Sequence, residues 1–223
     1  MSKNTAVIAG ASGLVGGHCL KLLLDEPRYD TVLTLVRGPI PQVHPRLAQK
    51  IVDFDRLETL ERTPVSDAFC ALGTTMRQAG TRDQFRKVDF DYTLKVAQWS
   101  RAAGATQLAL VSSVGADPRS RNFYLRTKGE IEEAIAGLSF ASLHIFRPSI
   151  LVGERRERRL AETLGIGVAR GLQFLLVGGL RRYRPIPAAT VASAMVAAVA
   201  TGAPGRHVYH FDEMKALASR TSH

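Results

Sequence analysis

The feature that most constrains this chain is a short apolar run that leads directly into three regularly spaced glycines. The run is TAVIA at 5–9, and Gly10, Gly13 and Gly16 follow it with the spacing G-x-x-G-x-x-G. The segment at 13–25, GLVGGHCLKLLLD, then has helical character. In such a strand–turn–helix unit the first glycine permits a tight turn, the second lets the main chain approach a pyrophosphate, and the third lets helix and strand pack closely. Glycines also occur in ordinary turns, but their place at the first strand–helix junction favours a dinucleotide site.

Strand and helix patterns alternate along the rest of the chain, and this alternation predicts the fold class. Further strands are predicted at 31–36, 50–54, 67–72, 107–113, within 139–148 and at 206–211, and helices at 82–103, 121–136 and 185–202. Continuously apolar strands that alternate with helices are typical of a parallel sheet covered on both faces. We therefore expect a doubly wound parallel β-sheet, the Rossmann fold, as one α/β domain over 1–223. The part from about 150 to 223 would supply a substrate-side lid, the last helix and the last strand.

Composition narrows the range of partners. The chain has 223 residues, of which 45% are hydrophobic, and thirty Lys and Arg against twenty Asp and Glu give a net charge of +10. This charge favours an acidic partner such as a phosphorylated cofactor or an anionic substrate, while no nucleic-acid recognition motif is found. No segment is long and apolar enough to span a bilayer and no signal peptide is recognised, so a cytoplasmic protein is expected. Two separate cysteines and six histidines without ligand spacing predict no metal site.

A second group of residues carries proton-transfer chemistry. Tyr124 and Lys128 lie four residues apart on a predicted helix and so share one face, and Ser112 and Ser113 end the preceding strand. A free phenol has a pKa of about 10, and a nearby ammonium lowers it toward the range in which an acid–base group works best. A serine hydroxyl can hold the oxygen of a substrate carbonyl. Tyr-x-x-x-Lys alone also suits an ordinary amphipathic helix, but together with the glycine turn it favours a catalytic set.

The end of the second predicted strand bears on the choice of nicotinamide cofactor. An NAD site usually has an acidic residue there, which binds the 2′-hydroxyl of the adenosine ribose. The sequence TLVRGP contains no acid and offers Arg37 instead. A guanidinium can bind a 2′-phosphate through two hydrogen bonds, so NADP(H) is favoured over NAD(H). The alternative is a solvent-facing arginine in a basic chain.

The glycine spacing, the strand-ending serine and Tyr-x-x-x-Lys together resemble the pattern of the short-chain dehydrogenases/reductases. The segment FRPSILVG at 146–153 resembles the Arg-Pro segment of the extended and atypical branches of that superfamily. Within it, the sequence is most similar to the Tat-interacting oxidoreductases. The matching stretches, which extend from about 5 to 160, are GASGLVG, VDFDRLE, CALGTT, VDFDYTLKVA, SSVGAD, FYLRTKGEIE and FRPSILV.

The resemblance implies a role for each matching residue. Tyr124 is the expected proton donor, Lys128 the ligand of the ribose hydroxyls, and Ser113 the substrate-holding serine, with Ser112 as the alternative. The implied cofactor contacts are Gly10, Ser12, Gly13, Leu14, Val15 and Gly16 around the pyrophosphate, Arg37 at the adenosine ribose, Asp53 and Phe54 at the adenine, Leu72 and Gly73 at the nicotinamide ribose, Leu151 at the nicotinamide amide, and Arg159 at a phosphate. One departure is Asp89, where many extended members have an asparagine; an aspartate there could alter the proton relay without being catalytic.

Two functions remain open at the level of the sequence. The intact Ser, Tyr and Lys set favours an NADP(H)-dependent oxidoreductase that reduces a carbonyl of a small substrate, for which the basic charge allows an anion. The alternative is a cofactor-binding regulatory or protein-interaction protein without significant turnover. Helices like those at 82–103 and 121–136 pair across a two-fold axis in relatives, so a homodimer is expected. The segment at 153–162, GERRERRLAE, is either a solvated helix start or a segment that closes over the cofactor through Arg159.

Overall fold

The centre of the molecule is a sheet of parallel strands. The computed structural model describes residues 4–153 and 177–221, and within them the sheet has seven strands: β1 (Thr5–Ala9), β2 (Thr31–Val36), β3 (Leu47–Ile51), β4 (Asp67–Cys70), β5 (Gln107–Val111), β6 (Ser142–Phe146) and β9 (Gly205–Tyr209). Two short strands, β7 (Leu151–Val152) and β8 (Ile186–Pro187), pair in parallel outside this sheet. The order across the main sheet is β3-β2-β1-β4-β5-β6-β9. This confirms the predicted doubly wound parallel sheet.

Helices connect the strands. They are α1 (Leu14–Asp25), α2 (Met76–Ala79), α3 (Arg82–Arg86), α4 (Thr93–Ala102), α5 (Phe123–Ala136), α6 (Ala188–Ala200) and α7 (Phe211–Ala218). A π-helical turn (Lys87–Tyr92) joins α3 to α4, and short 3₁₀ turns lie at Phe54–Thr59, Gly178–Tyr183 and Ser219–Thr221. No helix in 4–153 or 177–221 has both the length and the apolar character that crossing a bilayer requires.

Both faces of the sheet are covered, which explains why its central strands are continuously apolar. β1 is buried along its whole length. Its residues Ala6 and Ile8 belong to a core with α1, α6 and α7, whereas Val7 and Ala9 belong to a second core with α4 and α5. The alternation of side chains along a strand therefore divides one apolar run between two cores.

The strand order also locates the crevice of the molecule. The chain runs from β1 outward to β2 and β3, and then returns to the other side of β1 as β4. At such a reversal the loops leaving neighbouring strands turn in opposite directions, and ligands of open α/β sheets bind in the crevice that opens at the carboxyl ends of the strands. The carboxyl ends of β1 and β4 are followed by Gly10 and by Ala71–Leu72, so the glycine turn lies at this crevice.

The structure departs from the prediction in two elements and adds a helix that was not predicted. The third strand is Leu47–Ile51 rather than 50–54, because Val52 and Phe54 leave the strand and are buried at the start of a 3₁₀ turn. The predicted helix over 82–103 is interrupted by the π-helical turn. Helix α7 was not predicted; it is short, and its buried residues are Met214 and Leu217.

Candidate active site

The glycine turn is shaped by close backbone contacts. Gly10 has a φ of +90°, and a Cβ atom on it would lie 2.5 Å from the carbonyl of Ala71, which follows β4. A Cβ atom on Gly16 would lie 2.0 Å from the carbonyl oxygen of Gly10. Side chains at either position are therefore excluded by the approach of β1, α1 and the loop after β4. Gly13 closes the turn, since its amide donates to the Gly10 carbonyl at 2.9 Å.

The first turn of α1 fits a phosphate group. No side chain caps this helix at Gly13, and Ser12, Gly13 and Leu14 are exposed, while Val15 and Gly16 are buried behind them. The first amides of a helix lack intrahelical acceptors and carry a partial positive charge, which is the arrangement that binds pyrophosphate. Gly153, after β7, passes directly over the Leu14 side chain, where a Cβ atom would lie 2.6 Å from its Cδ1. Leu151 in β7 is half-buried and precedes this contact.

Next to the glycine turn, a buried ion pair lies beneath the loop after β4. Lys128 Nζ lies 2.7 Å from Asp89 Oδ1, and the exposed fractions of the two side chains are 7% and 0%. The other carboxylate oxygen of Asp89 accepts from the backbone amide of Thr74 at 2.8 Å. A Cβ atom on Gly73 would meet both members of the pair, at 3.3 Å and 3.7 Å. Three separate segments, 73–74, 87–92 and α5, therefore converge on two opposite charges.

Electrostatics keep the Lys128 ammonium charged in this buried place. Burial lowers the pKa of Lys128, but the Asp89 carboxylate, the Tyr124 hydroxyl and the hydrogen bond to Asp89 outweigh it, so that the pKa is raised overall. Cys70, at the end of β4, lies within reach of the same charge. Burial raises the pKa of its thiol to about 11 even though a backbone hydrogen bond and Lys128 act in the opposite direction. The thiol is therefore neutral at physiological pH.

Two backbone features place Asp89 and Lys128. Asp89 lies in the π-helical turn, whose extra residue widens the helix and directs the side chain inward. Gly129 follows Lys128 on α5, and a Cβ atom there would lie 2.2 Å from Pro118 N. The helix can thus approach the loop after β5 closely only because this residue is glycine.

The other two residues expected to be catalytic are Tyr124, on the same helix as Lys128, and Ser113, just after the end of β5. Tyr124 is half-buried in the first turn of α5, one turn before Lys128, and its ring centroid is 5.3 Å from that of Phe85. Ser113 follows β5 and makes one weak contact within the described residues, 3.4 Å from its Oγ to the Val114 carbonyl oxygen. The structure therefore brings Tyr124, Lys128 and Ser113 to one edge of the sheet and leaves the serine hydroxyl available to a ligand.

Ser112 is engaged elsewhere. Its Oγ donates to Glu132 Oε1 at 2.5 Å, and Glu132 also accepts from Arg147 at 3.0 Å and 2.5 Å. Arg206 approaches the same carboxylate at 3.5 Å. We call Ser112, Glu132, Arg147 and Arg206 the arginine clamp. It ties the ends of β5 and β6, the middle of α5 and the strand β9 together.

The remaining predicted cofactor residues are arranged around the crevice in different ways. Arg37 directly follows β2 and is exposed. Leu72 is half-buried and Gly73 exposed in the loop after β4. Asp53 is exposed, and its Oδ1 accepts from the Asp55 amide at 2.9 Å. Phe54 is 4% exposed and its ring packs against Tyr92, so it presents little side-chain surface to a base. Arg159 lies outside the described residues, as do the other residues from 154 to 162 of the segment that was expected to close over the cofactor.

Several residues that build the site were not recognised in the sequence. Gly129 and Thr74 act through the backbone, and no side-chain pattern signals them. Glu132 could have been found, because a charged residue four positions after Lys128 lies on the buried face of α5, where an unpaired charge is costly.

Known protein families show which family this chain belongs to. A model described as the NAD dependent epimerase/dehydratase family matches residues 6–211, which is most of the chain. The chain belongs to this family. Rat protein HTATIP2 is 36% identical to it over 203 residues, which cover 88% of this chain and 81% of that protein. The mitochondrial protein FMP52 of Candida glabrata is 40% identical over 160 residues, or 70% of this chain and 68% of that protein.

Solved structures show the same fold for this member of the epimerase/dehydratase family. MoeE5 in complex with UDP-glucose and NAD superposes with a TM-score of 0.68 at 16% identity, over 98% of this chain and 82% of that chain. The resemblance to the Tat-interacting proteins is confirmed by HTATIP2. The chain is thus a nicotinamide-dinucleotide-binding Rossmann protein.

One expectation is wrong. The sequence led us to expect a cytoplasmic protein, but the related FMP52 proteins of several yeasts are named as mitochondrial. A purely cytoplasmic location therefore does not follow for a chain of this family.

Proposed function

We propose that this chain is an NADP(H)-dependent oxidoreductase that reduces a carbonyl group of a small substrate, with Tyr124 as the proton donor. The observation that carries the proposal is that Tyr124, the charged and buried Lys128 and Ser113 lie at one edge of the sheet, with the Ser113 hydroxyl only weakly bonded to the Val114 carbonyl. The match to the NAD dependent epimerase/dehydratase family supports a dinucleotide as the cofactor of this site.

Each of the three side chains has a distinct task in this proposal. The Ser113 hydroxyl donates a hydrogen bond to the carbonyl oxygen of the substrate and orients it. The Tyr124 hydroxyl gives its proton to the same oxygen as negative charge develops there. Lys128 stabilises the resulting phenolate and has further N–H donors for the ribose hydroxyls. In its reduced form, the bound dinucleotide supplies the hydride.

The dinucleotide would be held by the glycine turn and by the loops on both sides of it. The exposed first turn of α1, at Ser12, Gly13 and Leu14, offers amide groups to the pyrophosphate. Arg37 supports a preference for NADP(H), because it is exposed directly after β2 and has no ion pair within the described residues. The small carbonyl substrate and the homodimer stay predictions.

The proposal is tested by mixing the protein with NADPH and a panel of aldehydes and ketones, including keto acids, and following the loss of NADPH absorbance. We expect at least one carbonyl compound to be reduced. Tight NADPH binding without turnover on a broad panel would contradict the reductase and favour the regulatory alternative.

The preference for NADP(H) is tested by fluorescence titration with NADPH and NADH. We expect tighter binding of NADPH, and Arg37→Ala should remove most of the difference, because a charge-assisted contact contributes about 1.5–3 kcal/mol. Arg62→Ala is the matched control, since Arg62 is also exposed but precedes β4 at the opposite edge of the sheet. Equal affinity of the wild type for both cofactors would remove the role given to Arg37.

A further inference from the structure

Arginines outnumber acids in the segments around the start of α5, which carries Tyr124. These segments are α3, the loop at 117–122 and the first two turns of α5. Besides the buried Lys128, they contain five arginines, Arg82, Arg86, Arg119, Arg121 and Arg126, and three acids, Asp83, Asp117 and Glu130. An excess of one sign of charge beside a crevice attracts ligands of the opposite sign.

One of these arginines, Arg82, is held in place without being neutralised. Arg86 and Arg126 lie 2.5 Å and 3.8 Å from the carboxylate of Glu130 and share its charge. Arg82 is exposed and forms no ion pair within the described residues, but its guanidinium carbon lies 5.4 Å from the centre of the Phe123 ring. A cation over an aromatic face is attracted to the ring and keeps its full charge.

Aromatic contacts connect Arg82 with the expected proton donor. Phe123 directly precedes Tyr124 in α5, and both rings pack against Phe85, with centroids 5.9 Å and 5.3 Å from that of Phe85. Phe85 is completely buried and belongs to the same helix as Arg82. Helix α3 is therefore fixed against the first turn of α5, and the Arg82 guanidinium lies over the residue next to Tyr124.

The acids of these segments are engaged elsewhere. Asp83 lines a surface cavity of about 490 Å³ together with Lys87 and Asp91. An oxygen of Asp117 accepts from the backbone amide of Arg119 at 2.8 Å. The acids also interrupt the row of arginines, so these segments lack the continuous basic stripe that a nucleic acid requires. The arrangement suits a small anion.

We propose that Arg82, aided by Arg121, binds an anionic group of the carbonyl substrate, either a carboxylate or a phosphate. Arg121 lies just before α5, is exposed, and is likewise without an ion pair in the described part of the chain. A guanidinium presents two parallel N–H donors that match two oxygens of either group. Since the anion belongs to the carbonyl compound that Tyr124 protonates, this assignment rests on the proposed function.

The test compares carbonyl compounds in matched pairs by following NADPH oxidation. The pairs are keto acids of increasing chain length with their methyl esters, and dihydroxyacetone phosphate with dihydroxyacetone. We expect a lower KM for the charged member of at least one pair, and the pair that responds distinguishes a carboxylate from a phosphate. Arg82→Ala should raise this KM by at least about tenfold and leave kcat within about twofold, because it removes binding that is equal in the ground state and the transition state.

Two controls accompany this variant. The KM of the neutral member should stay the same in Arg82→Ala, because that compound has no group for the guanidinium. Arg62→Ala, which changes an exposed arginine at the opposite edge of the sheet, should leave the KM of both members unchanged. Equal KM values for charged and neutral members, or a KM for the charged member that does not change in Arg82→Ala, would overturn the anion site even where carbonyl compounds are reduced.

If none of the compounds is reduced, the proposed reductase fails, and the anion site is tested by binding alone. Equilibrium dialysis of labelled pyruvate and of labelled dihydroxyacetone phosphate against the NADPH-loaded protein measures this binding. Binding of either compound that is weakened at least about tenfold in Arg82→Ala supports the site. Absence of binding, or equal binding by the wild type and Arg82→Ala, overturns it.

Discussion

Helix α5 carries two buried charges of opposite sign, one turn apart, and their surroundings differ. Lys128 faces the crevice and has a single oxygen partner among the described residues, Asp89. Glu132 faces the ends of β5 and β6 and is surrounded by the donors of Ser112, Arg147 and Arg206. An ammonium has three donors, so Lys128 retains capacity for a ligand, whereas the carboxylate of Glu132 has little left.

Within helix α5, Glu132 therefore serves to hold the fold together, whereas Lys128 is available to bind a ligand. The arginine clamp fixes α5 against β5, β6 and β9, and this fixes the position of Lys128 and Tyr124 one and two turns earlier. A fully satisfied buried network rigidifies its surroundings, while a group with unused hydrogen-bonding capacity at a crevice is a candidate for ligand binding. Changes in the clamp should therefore act on stability, and changes at the Lys128 side should act on chemistry.

The largest effect is expected from Glu132→Ala. This change leaves Arg147 without its carboxylate, and removal of one partner of a buried ion pair costs about 3–5 kcal/mol. Glu130→Ala is the control on the same helix, because Glu130 pairs with Arg86 at a partly exposed position, and such a pair contributes about 0–1 kcal/mol. The free energy of unfolding is measured by urea denaturation. Equal losses in the two variants would contradict the clamp.

The two adjacent serines give a sharper comparison. Ser112→Ala removes a buried hydrogen bond to a charged carboxylate and should cost about 1.5–3 kcal/mol of stability. Ser113→Ala should change stability by less than about 0.5 kcal/mol, since it loses one weak contact. Activity should be lost in Ser113→Ala and largely kept in Ser112→Ala. The reverse pattern in denaturation and in turnover would exchange the roles of the two residues.

The smallest expected effect is on the pH dependence of the free energy of unfolding, and it comes from His144. His144 is buried in β6 with its Nδ1 atom 3.0 Å from the Tyr209 hydroxyl, and burial, aided by His207, lowers its pKa to about 4. A histidine whose pKa is lower in the folded state stabilises the fold above the unfolded value of about 6.5, and this stability is lost as the pH falls toward 4. Between about pH 7 and pH 5, the wild type should therefore lose on the order of 1 kcal/mol more than His144→Gln.

Urea denaturation of both proteins at the two pH values measures this difference. Parallel pH dependence of wild type and His144→Gln would show that His144 does not become charged on unfolding.

The strands and the glycine turn could be predicted because their physical causes are local. The apolar run at 5–9 and the glycines after it have few alternative structures, and the positive φ of Gly10 and the tight approach at Gly16 agree with the roles expected of them. Tyr124 and Lys128 could be paired because helix periodicity alone puts them on one face.

The partners across the sheet could not be predicted, because they depend on packing between distant segments. That Asp89 reaches Lys128 follows from a π-helical turn, and no sequence pattern signalled that turn. The choice between Ser112 and Ser113 follows from Glu132, which lies twenty residues away. The shift of β3 to Leu47–Ile51 has a similar cause, since Phe54 is buried by its contact with Tyr92 rather than by a strand.

The central claim is that Tyr124 supplies the proton, and Tyr124→Phe tests it most directly, because the change removes one oxygen and leaves the packing of the ring against Phe85 intact. With a substrate from the carbonyl panel, we predict that kcat falls by at least about 10²-fold while the Kd for NADPH changes by less than about threefold. Tyr92→Phe, on the π-helical turn, should retain both values. A Tyr124→Phe variant with full turnover would contradict the account.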